Sequence, residues 1–107
     1  MTTPAYSSEV KLLMFEEHGC TYCEKWNDDI GEFYGNTKEG KWAKLERVDN
    51  DLPRDDTLKH IKGIVFTPTF VVISDNQEIG RITGYPGEDY FWGYLVNILK
   101  KTGFDSN

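Results

Sequence analysis

The sequence predicts an α/β domain in which a mixed four-stranded sheet is flanked by helices, in the order β-α-β-α-β-β-α. Two observations predict this fold class. Strand-like apolar runs alternate with helical patterns in the first half of the chain, which requires parallel strands joined by right-handed crossovers. The short turn from Ser74 to Gln77 then joins two further strands, and so short a turn requires an antiparallel pair.

The first half of the chain predicts a central strand, a long helix and a short helix. Val10–Phe15 is nearly continuously apolar, as expected of a central strand covered on both faces. From Tyr22 onward apolar residues recur at three- and four-residue steps, which predicts a helix that ends at Gly35 and Asn36. A weaker helical pattern follows over residues 37–43.

The second half predicts three strands and two helices. Proline is tolerated in a first helical turn, and acidic residues at the start with lysines at the end suit the dipole of the last helix. The predicted elements are a second strand Leu45–Asp49, a helix from Pro53 to about Ile61, a third strand Thr69–Ile73, an edge strand Glu78–Thr83 and a helix from Glu88 to about Lys101.

Length and composition suit one small domain. The chain has 107 residues, of which 38% are hydrophobic and 14% aromatic, so its core needs no metal or disulfide support. We expect a flexible N-terminal segment, residues 1–9, and a single domain, residues 10–104, that is a monomer. No apolar run approaches the roughly 18 residues of a membrane span. A net charge of −6 without a basic stripe argues against nucleic acid as a partner.

The N-terminus leaves two compartments open. Residues 1–5 lack the basic and apolar regions of a secretory signal. This fits either a cytoplasmic protein or an exported protein recorded after its leader was removed. Two cysteines alone do not decide between a reducing and an oxidising compartment.

Cys20 and Cys23 form a CxxC motif at the start of the long helix. Residues three apart on a helix lie roughly 5–6 Å apart, which is close to the Cα separation of a disulfide. The pair can therefore open and close with little backbone movement. The N-terminal end of a helix favours a thiolate at Cys20, which could attack a substrate disulfide. Cys23 would then resolve the mixed disulfide.

Zinc binding and a purely structural disulfide are the alternatives to redox chemistry at this motif. A zinc site would need His18 and His60 as further ligands, but His18 is cramped against Cys20 and His60 is distant. A structural disulfide across so short a loop constrains the unfolded chain little. Redox chemistry is therefore favoured, with no bound cofactor and no metal. His18 could instead stabilise the Cys20 thiolate as its imidazolium, or lie exposed in the loop.

A second signal is Thr67-Pro68-Thr69, directly before the third strand. Proline is disfavoured inside a sheet, so its place here suggests a cis Thr67–Pro68 bond beside the cysteines. That bend would leave the backbone N–H and C=O of Thr67 free to bind an extended substrate by strand addition. A trans proline that simply opens the strand is the alternative.

These motifs resemble those of the thioredoxin superfamily over nearly the whole chain from Val10 on. The resemblance is carried by LLMFEEHGCTYC, LERVD and FTPTFVVISDNQEIGRITGY. More narrowly, MFEEHGCTYCEKWNDDIGEFYGNTKEGKWAKLERVD and GYPGEDYFWGYL are similar to the Sox thioredoxins, small periplasmic thioredoxins encoded with bacterial sulfur-oxidation systems.

The resemblance implies a thiol–disulfide oxidoreductase, specifically a protein disulfide reductase. It would keep a sulfur-carrier protein of thiosulfate oxidation reduced and active, with electrons from a membrane thiol transporter. It also implies a periplasmic location. By position, the nucleophile falls on Cys20, the resolving cysteine on Cys23 and the cis-proline on Pro68. The implied substrate groove is lined by Tyr22, Thr67, Thr83, Gly84 and Tyr85.

Two departures from ordinary thioredoxins concern proton transfer. Met14 occupies the position of the buried aspartate that aids deprotonation of the resolving thiol, and Leu45 replaces the lysine paired with it. Deprotonation of Cys23 must then use water or another group. Glu16 and Glu17 are near in sequence, and either could take part or simply be solvated.

Two other functions are compatible with this fold. Tyr22, directly before the second cysteine, is shared with glutaredoxins and bacterial disulfide isomerases, so a glutaredoxin-like or isomerase-type enzyme is one alternative. A non-catalytic binding module that uses the Thr67–Pro68 groove is the other.

Overall fold

The computed structural model describes residues 9–106, so the predicted flexible segment 1–9 lies outside it except for Glu9. Seven regular elements follow one another within the described residues. They are β1 Val10–Glu16, α1 Thr21–Trp26, α2 Lys38–Trp42, β2 Lys44–Asp49, β3 Thr69–Ser74, β4 Gln77–Thr83 and α3 Glu88–Leu99.

The four strands form the predicted mixed sheet, in the order β2-β1-β3-β4. β1 runs parallel to β2 and antiparallel to β3, and β3 is antiparallel to β4. Strand β1 is central because its side chains are apolar on both faces, with five of its seven residues buried. The predicted fold class, a mixed four-stranded sheet flanked by helices, is confirmed, although no α-helix separates β2 from β3 in the described part of the chain.

The first face of the sheet is covered by α1 and α3. Trp26 of α1 is fully buried at its centre, with ring centroids 5.3 Å from Phe70 and 5.8 Å from Phe91. These tilted and edge-on arrangements are the favoured geometries of aromatic pairs. Because Trp26 lies in the same helix as Cys23, the aromatic core fixes the position of the helix that carries the cysteines.

The helix that begins at α1 does not keep an α-helical geometry as far as predicted. It widens into a π-helical turn over Asn27–Gly31, and a 3₁₀ turn follows over Tyr34–Asn36. Trp26, Ile30 and Tyr34 are all buried. Their four-residue spacing exceeds the 3.6 residues of an α-helical turn, so a wider turn keeps all three side chains towards the core.

The second face of the sheet is covered mainly by a loop. The predicted helix from Pro53 to Ile61 is wrong, because only a 3₁₀ turn, Asp56–Leu58, forms there. The Asp55 carboxylate accepts hydrogen bonds from both the N–H and the hydroxyl of Thr57, at 2.9 and 2.8 Å. Such local bonds compete with helix formation. Only Leu58 and Ile61 of this segment are buried, which is too few for a helical stripe.

Two arginines hold this covering loop against the sheet. Arg54 donates to the carbonyl oxygen of Ile61 at 2.6 Å, and its guanidinium lies 4.7 Å from the ring centroid of Phe15. Arg81 of β4 donates to the carbonyl of Lys62 at 2.9 Å and to the carboxylate of Glu78 at 2.6 Å. The loop that leads to Thr67 is therefore fixed by side-chain hydrogen bonds in place of a helix.

The backbone of Gly40 lies in close contact with the backbone of Tyr34. A Cβ atom on Gly40 would overlap the carbonyl oxygen of Tyr34. Thr37 caps α2 at the same point, because its Oγ1 accepts from the Gly40 N–H at 2.9 Å and donates to the Tyr34 carbonyl at 2.6 Å. No side chain larger than a hydrogen fits this contact.

We predict that Gly40→Ala lowers the free energy of unfolding by about 2–3 kcal/mol, because the backbone of Tyr34 must move to admit a methyl group. Gly93→Ala is the matched control, since the same change in α3 meets open space and should stabilise the helix by about 0.5–1 kcal/mol. Denaturant unfolding of both variants tests this. Equal effects at the two positions would contradict the close approach.

A second prediction concerns the Arg81 anchor. Hydrogen bonds from Arg81 hold the pKa of Glu78 below its ordinary value of 4.5. A carboxylate whose pKa is lower in the folded than in the unfolded state stabilises the folded protein at any pH above the unfolded-state pKa. That stabilisation is lost as the pH falls through the folded-state pKa.

Glu78→Gln should therefore cost about 0.5–1 kcal/mol of unfolding free energy at pH 7, a modest amount because the pair is partly hydrated. The difference from the parent protein should shrink towards zero as the pH falls below the ordinary value of 4.5. Unfolding measured across this range, with the exposed Glu32→Gln as control, tests the prediction. A difference that does not change with pH would refute it.

Candidate active site

Cys20 and Cys23 are joined by a disulfide where the loop after β1 enters α1. Gly19, at φ +77°, takes the left-handed conformation that lets the chain turn into the helix. Cys20 is the N-cap residue of α1, and its Sγ accepts a hydrogen bond from the backbone N–H of Cys23 at 3.1 Å. The Cα atoms of the two cysteines are 5.2 Å apart, within the range that the CxxC spacing predicts.

The two cysteines differ in exposure. Cys23 is 2% exposed and belongs to the core on the first face of the sheet, whereas Cys20 is only partly buried. Tyr22, between them, is 59% exposed and stands at the surface. A large partner can therefore reach the sulfur atom of Cys20 but not that of Cys23.

The Thr67–Pro68 peptide bond is cis, as predicted, so the alternative of a trans proline is wrong. Pro68 is buried, and its carbonyl oxygen accepts from the N–H of Gly84 at 2.7 Å. The hydroxyl of Thr67 donates to the carboxylate of Glu17 at 3.3 Å. Within residues 9–106 the backbone N–H and C=O of Thr67 have no protein hydrogen-bond partner.

A shallow groove, here called the cis-proline groove, brings together five of the predicted site residues. Phe66 completes its lining, although the sequence analysis did not single it out. It is 66% exposed, and an apolar residue directly before Thr67-Pro68, outside any helix or strand pattern, was the available signal. The groove is lined by Tyr22, Phe66, Thr67, Thr83, Gly84 and Tyr85.

Tyr85 forms a rigid wall of the cis-proline groove. Its hydroxyl donates to the carboxylate of Asp29 at 2.7 Å, and Lys25 lies 3.4 Å from the same carboxylate oxygen. Burial, followed by the hydrogen bond to Asp29, raises the pKa of Tyr85 above its ordinary value. The hydroxyl therefore stays protonated and ties the groove to the helix that carries the cysteines.

A second cavity, here called the acidic cleft, opens beside the disulfide. It shares no lining residue with the cis-proline groove. Met14 is fully buried in the core cluster that contains Cys23, and Leu45 packs against that cluster, so no charge lies at these two positions. The acidic cleft is lined by Glu16, Glu17, His18, Gly19, Cys20, Cys23, Glu24, Asn27 and Asp49.

Neither histidine forms a metal site in the part of the chain that the structure describes, where no group of three or more suitable ligands occurs. His18 is exposed, and its backbone N–H donates to Asp51 at 3.3 Å. His60 contacts the carbonyl of Asn76 at 2.6 Å, in the turn between β3 and β4. The alternative of a zinc site therefore gains no support from the arrangement of these side chains.

Comparison with known proteins identifies the family. A model of the thioredoxin-like domain matches residues 5–99. The periplasmic thioredoxin SoxS from Paracoccus pantotrophus, in its reduced form, is 41% identical, with a TM-score of 0.82 over 87% of this chain and 98% of that one. A thioredoxin from Thermus thermophilus is 23% identical, with a TM-score of 0.65 over 89% of this chain and 77% of that one. The Fasciola hepatica thioredoxin is 21% identical, with a TM-score of 0.61 over 83% and 80%.

The two thioredoxins of lower identity show the fold alone, whereas the domain match and SoxS show the family. No curated protein matches the sequence significantly. Among the described residues, none of the helices has the length and apolarity to span a bilayer. The chain belongs to the thioredoxin-like family and is a thiol–disulfide oxidoreductase of the thioredoxin type, whose Cys20–Cys23 pair serves without a further cofactor.

Proposed function

We propose that this protein is a periplasmic dithiol reductase that keeps a sulfur-carrier protein of thiosulfate oxidation in its reduced, active form. The observation that carries the proposal is the unequal exposure of the two cysteines, since Cys20 is only partly buried whereas Cys23 is buried. The likeness to a periplasmic thioredoxin over almost its whole length supports the compartment. A membrane thiol transporter would supply the electrons.

Reduction proceeds in two steps. The Cys20 thiolate attacks one sulfur of a substrate disulfide, forms a mixed disulfide and releases the first substrate thiol. The N–H of Cys23, which already points at Cys20 Sγ, and the N-terminal end of the helix favour that thiolate. Cys23 then attacks Cys20 Sγ, the Cys20–Cys23 disulfide closes, and the second substrate thiol leaves. Two electrons pass to the substrate.

The cis-proline groove binds the polypeptide around the substrate disulfide. The backbone N–H and C=O of Thr67 are free to pair with an extended segment, which is how strand addition gives affinity without demanding a particular sequence. Phe66 and Tyr22, both largely exposed, add apolar surface to the lining of the groove. Thr83, Gly84 and Tyr85 complete the lining of the groove.

A cysteine trap tests the proposed order of steps. In Cys23→Ser the mixed disulfide on Cys20 cannot be resolved, so we expect a covalent complex with the substrate protein to accumulate and to be identified by mass spectrometry. Cys20→Ser, which keeps Cys23 intact, should capture nothing because Cys23 is buried. Capture of a sulfur-carrier protein is the expected result, and recovery of small thiols only would count against the substrate assignment.

The same preparation tests the direction of electron flow. An enzyme that acts as a reductase should have a reduction potential of about −270 mV, whereas that of an oxidant is about −120 mV. Equilibration of Cys20–Cys23 against glutathione measures it. A value at the oxidising end would favour the isomerase-type alternative that Tyr22 suggests, and full function of a Cys20→Ser, Cys23→Ser double variant in cells would favour a binding module.

Phe66 allows a test of the cis-proline groove. Burying a phenylalanine side chain against a partner contributes about 1.5–3 kcal/mol, so Phe66→Ala should lower kcat/KM for a protein disulfide about tenfold or more relative to a small aromatic disulfide. Val65→Ala is the matched control, because Val65 is 75% exposed but does not line the groove. Equal losses for the two variants would show that general surface hydrophobicity, not this groove, binds the partner.

A further inference from the structure

The buried position of Cys23 creates a problem of proton transfer. Cys23 must lose its thiol proton when it attacks Cys20, but at 2% exposure its sulfur is surrounded by core side chains that disfavour a charge. Met14 belongs to the same core cluster as Cys23, but its thioether cannot accept a proton under these conditions. A proton acceptor has to be found elsewhere in the acidic cleft.

The charged and titratable groups that line the acidic cleft or contact its carboxylates come from three parts of the chain. The end of β1 and its following loop contribute three of them, α1 contributes one and β2 contributes two. They are Glu16, Glu17, His18, Glu24, Arg47 and Asp49.

Of the four carboxylates that line the cleft, three form other hydrogen bonds or lie exposed. Glu17, directly after β1, accepts hydrogen bonds from the side chains of Thr67 and Asn50. Asp49 accepts from the N–H of Asp51 at 2.9 Å and so closes the turn after β2. Glu24 is an exposed residue of α1, and the imidazole of His18 is exposed in the loop.

Glu16 is different because it is held beside the helix that carries Cys23. Alternation along β1 puts Glu16 on the same face of the sheet as Met14, one side-chain step closer to the disulfide. Both carboxylate oxygens of Glu16 lie 3.1 Å from Nη1 of Arg47. The side chain is 25% exposed, so it borders both the acidic cleft and the solvent.

Arg47 connects Glu16 to the helical turn directly after Cys23. Its Nη2 donates to Oδ1 of Asn27 at 2.8 Å, and its guanidinium lies 5.9 Å from the ring centroid of Trp26. The backbone N–H of Asn27 in turn donates to the carbonyl of Cys23. One arginine therefore fixes the Glu16 carboxylate relative to the buried cysteine.

We propose that Glu16 accepts the proton of the Cys23 thiol through the acidic cleft, and that Arg47 is the positioning residue that holds it there. This rests on the two-step reduction proposed above. In the second step a bond forms between the sulfur atoms of Cys23 and Cys20, and the bond from Cys20 to the substrate sulfur breaks. The electron pair leaves on the substrate sulfur, and the proton passes from Cys23 to Glu16 and then to solvent. The substrate thiolate takes its own proton from solvent.

The two steps can be observed separately with the reduced protein and dithiobis(nitrobenzoate) in stopped-flow measurements. Attack by Cys20 releases one coloured thiolate, and resolution by Cys23 releases a second. The variants are Glu16→Gln, Glu16→Asp and Arg47→Met. Glu24→Gln is the matched control, because it removes an equal charge from the wall of the same cleft. Thermal unfolding reports whether each variant is folded.

We expect Glu16→Gln to leave the first phase within about twofold of the parent protein and to slow the second phase about tenfold or more near neutral pH. The deficit should close towards about pH 9–10, where hydroxide ionises thiols directly. Glu16→Asp should recover part of the rate, and Glu24→Gln should match the parent protein. If Glu16→Gln does not fold, Arg47→Met is expected to slow the second phase alone.

The proposal is overturned if Glu16→Gln resolves the mixed disulfide as fast as Glu24→Gln at every pH. It is equally overturned if both phases slow together, or if the deficit stays constant as the pH rises, because both results describe a structural defect. The parent protein separates this outcome from a failure of the proposed function. Two successive coloured releases support the two-step mechanism whatever Glu16 does, whereas absence of the first release contradicts it.

Discussion

The site depends on one constraint, the burial of Trp26 three residues after Cys23. Trp26 is fully enclosed by aromatic rings from the sheet and from α3, so the rotation of α1 about its own axis is fixed. With that rotation set, helical geometry puts Cys23 in the core and Cys20 at the N-terminal end of the helix, where its sulfur accepts a hydrogen bond from the Cys23 N–H. The different positions of the two sulfur atoms, one buried and one at the helix end, are therefore a consequence of the packing of Trp26.

The rest of the site is assembled from loops that side chains hold in place. The covering loop has one turn of 3₁₀ helix, and two arginines bind its carbonyl groups where a helix would have satisfied them internally. This leaves Phe66 and the backbone of Thr67 at the surface beside the disulfide. The strands position the groove, because Thr83 is the last residue of β4, Gly84 follows it directly, and β4 is paired with β3.

How much the sequence could predict follows from how local each signal is. The apolar run of β1, the CxxC motif and Thr67-Pro68 are short patterns with a direct physical meaning, and they locate the sheet, the disulfide and the cis peptide bond. The sequence around Pro53 could not show that no helix forms before Ile61, because the hydrogen bonds that Thr57 donates to Asp55 favour a turn there. The π-helical turn after Trp26 likewise depends on core packing, which cannot be predicted from the helical spacing of apolar residues.

The contact between Glu16 and Arg47 could not be predicted because it depends on the register of two strands that lie far apart in sequence. The parallel pairing sets Met14 opposite Arg47 and Leu12 opposite Leu45, so Glu16 and Arg47 have the same diagonal offset as positions 14 and 45. Those two positions hold the aspartate and lysine in the thioredoxins that this chain resembles. In this chain a carboxylate and a guanidinium lie two residues further along the same two strands, on the same face.

This displacement has a physical advantage at each end. Fully buried ion pairs incur a large desolvation penalty, which the methionine and leucine at positions 14 and 45 avoid by filling the core with apolar surface. At the end of β1 the ion pair keeps part of its hydration, since Glu16 is 25% and Arg47 42% exposed. A carboxylate with one side on the acidic cleft and the other in water can pass a proton onward, which a carboxylate enclosed in the core can do only through a further relay. The protein thus has uncharged side chains at positions 14 and 45 while it retains an anion at the cavity next to Cys23.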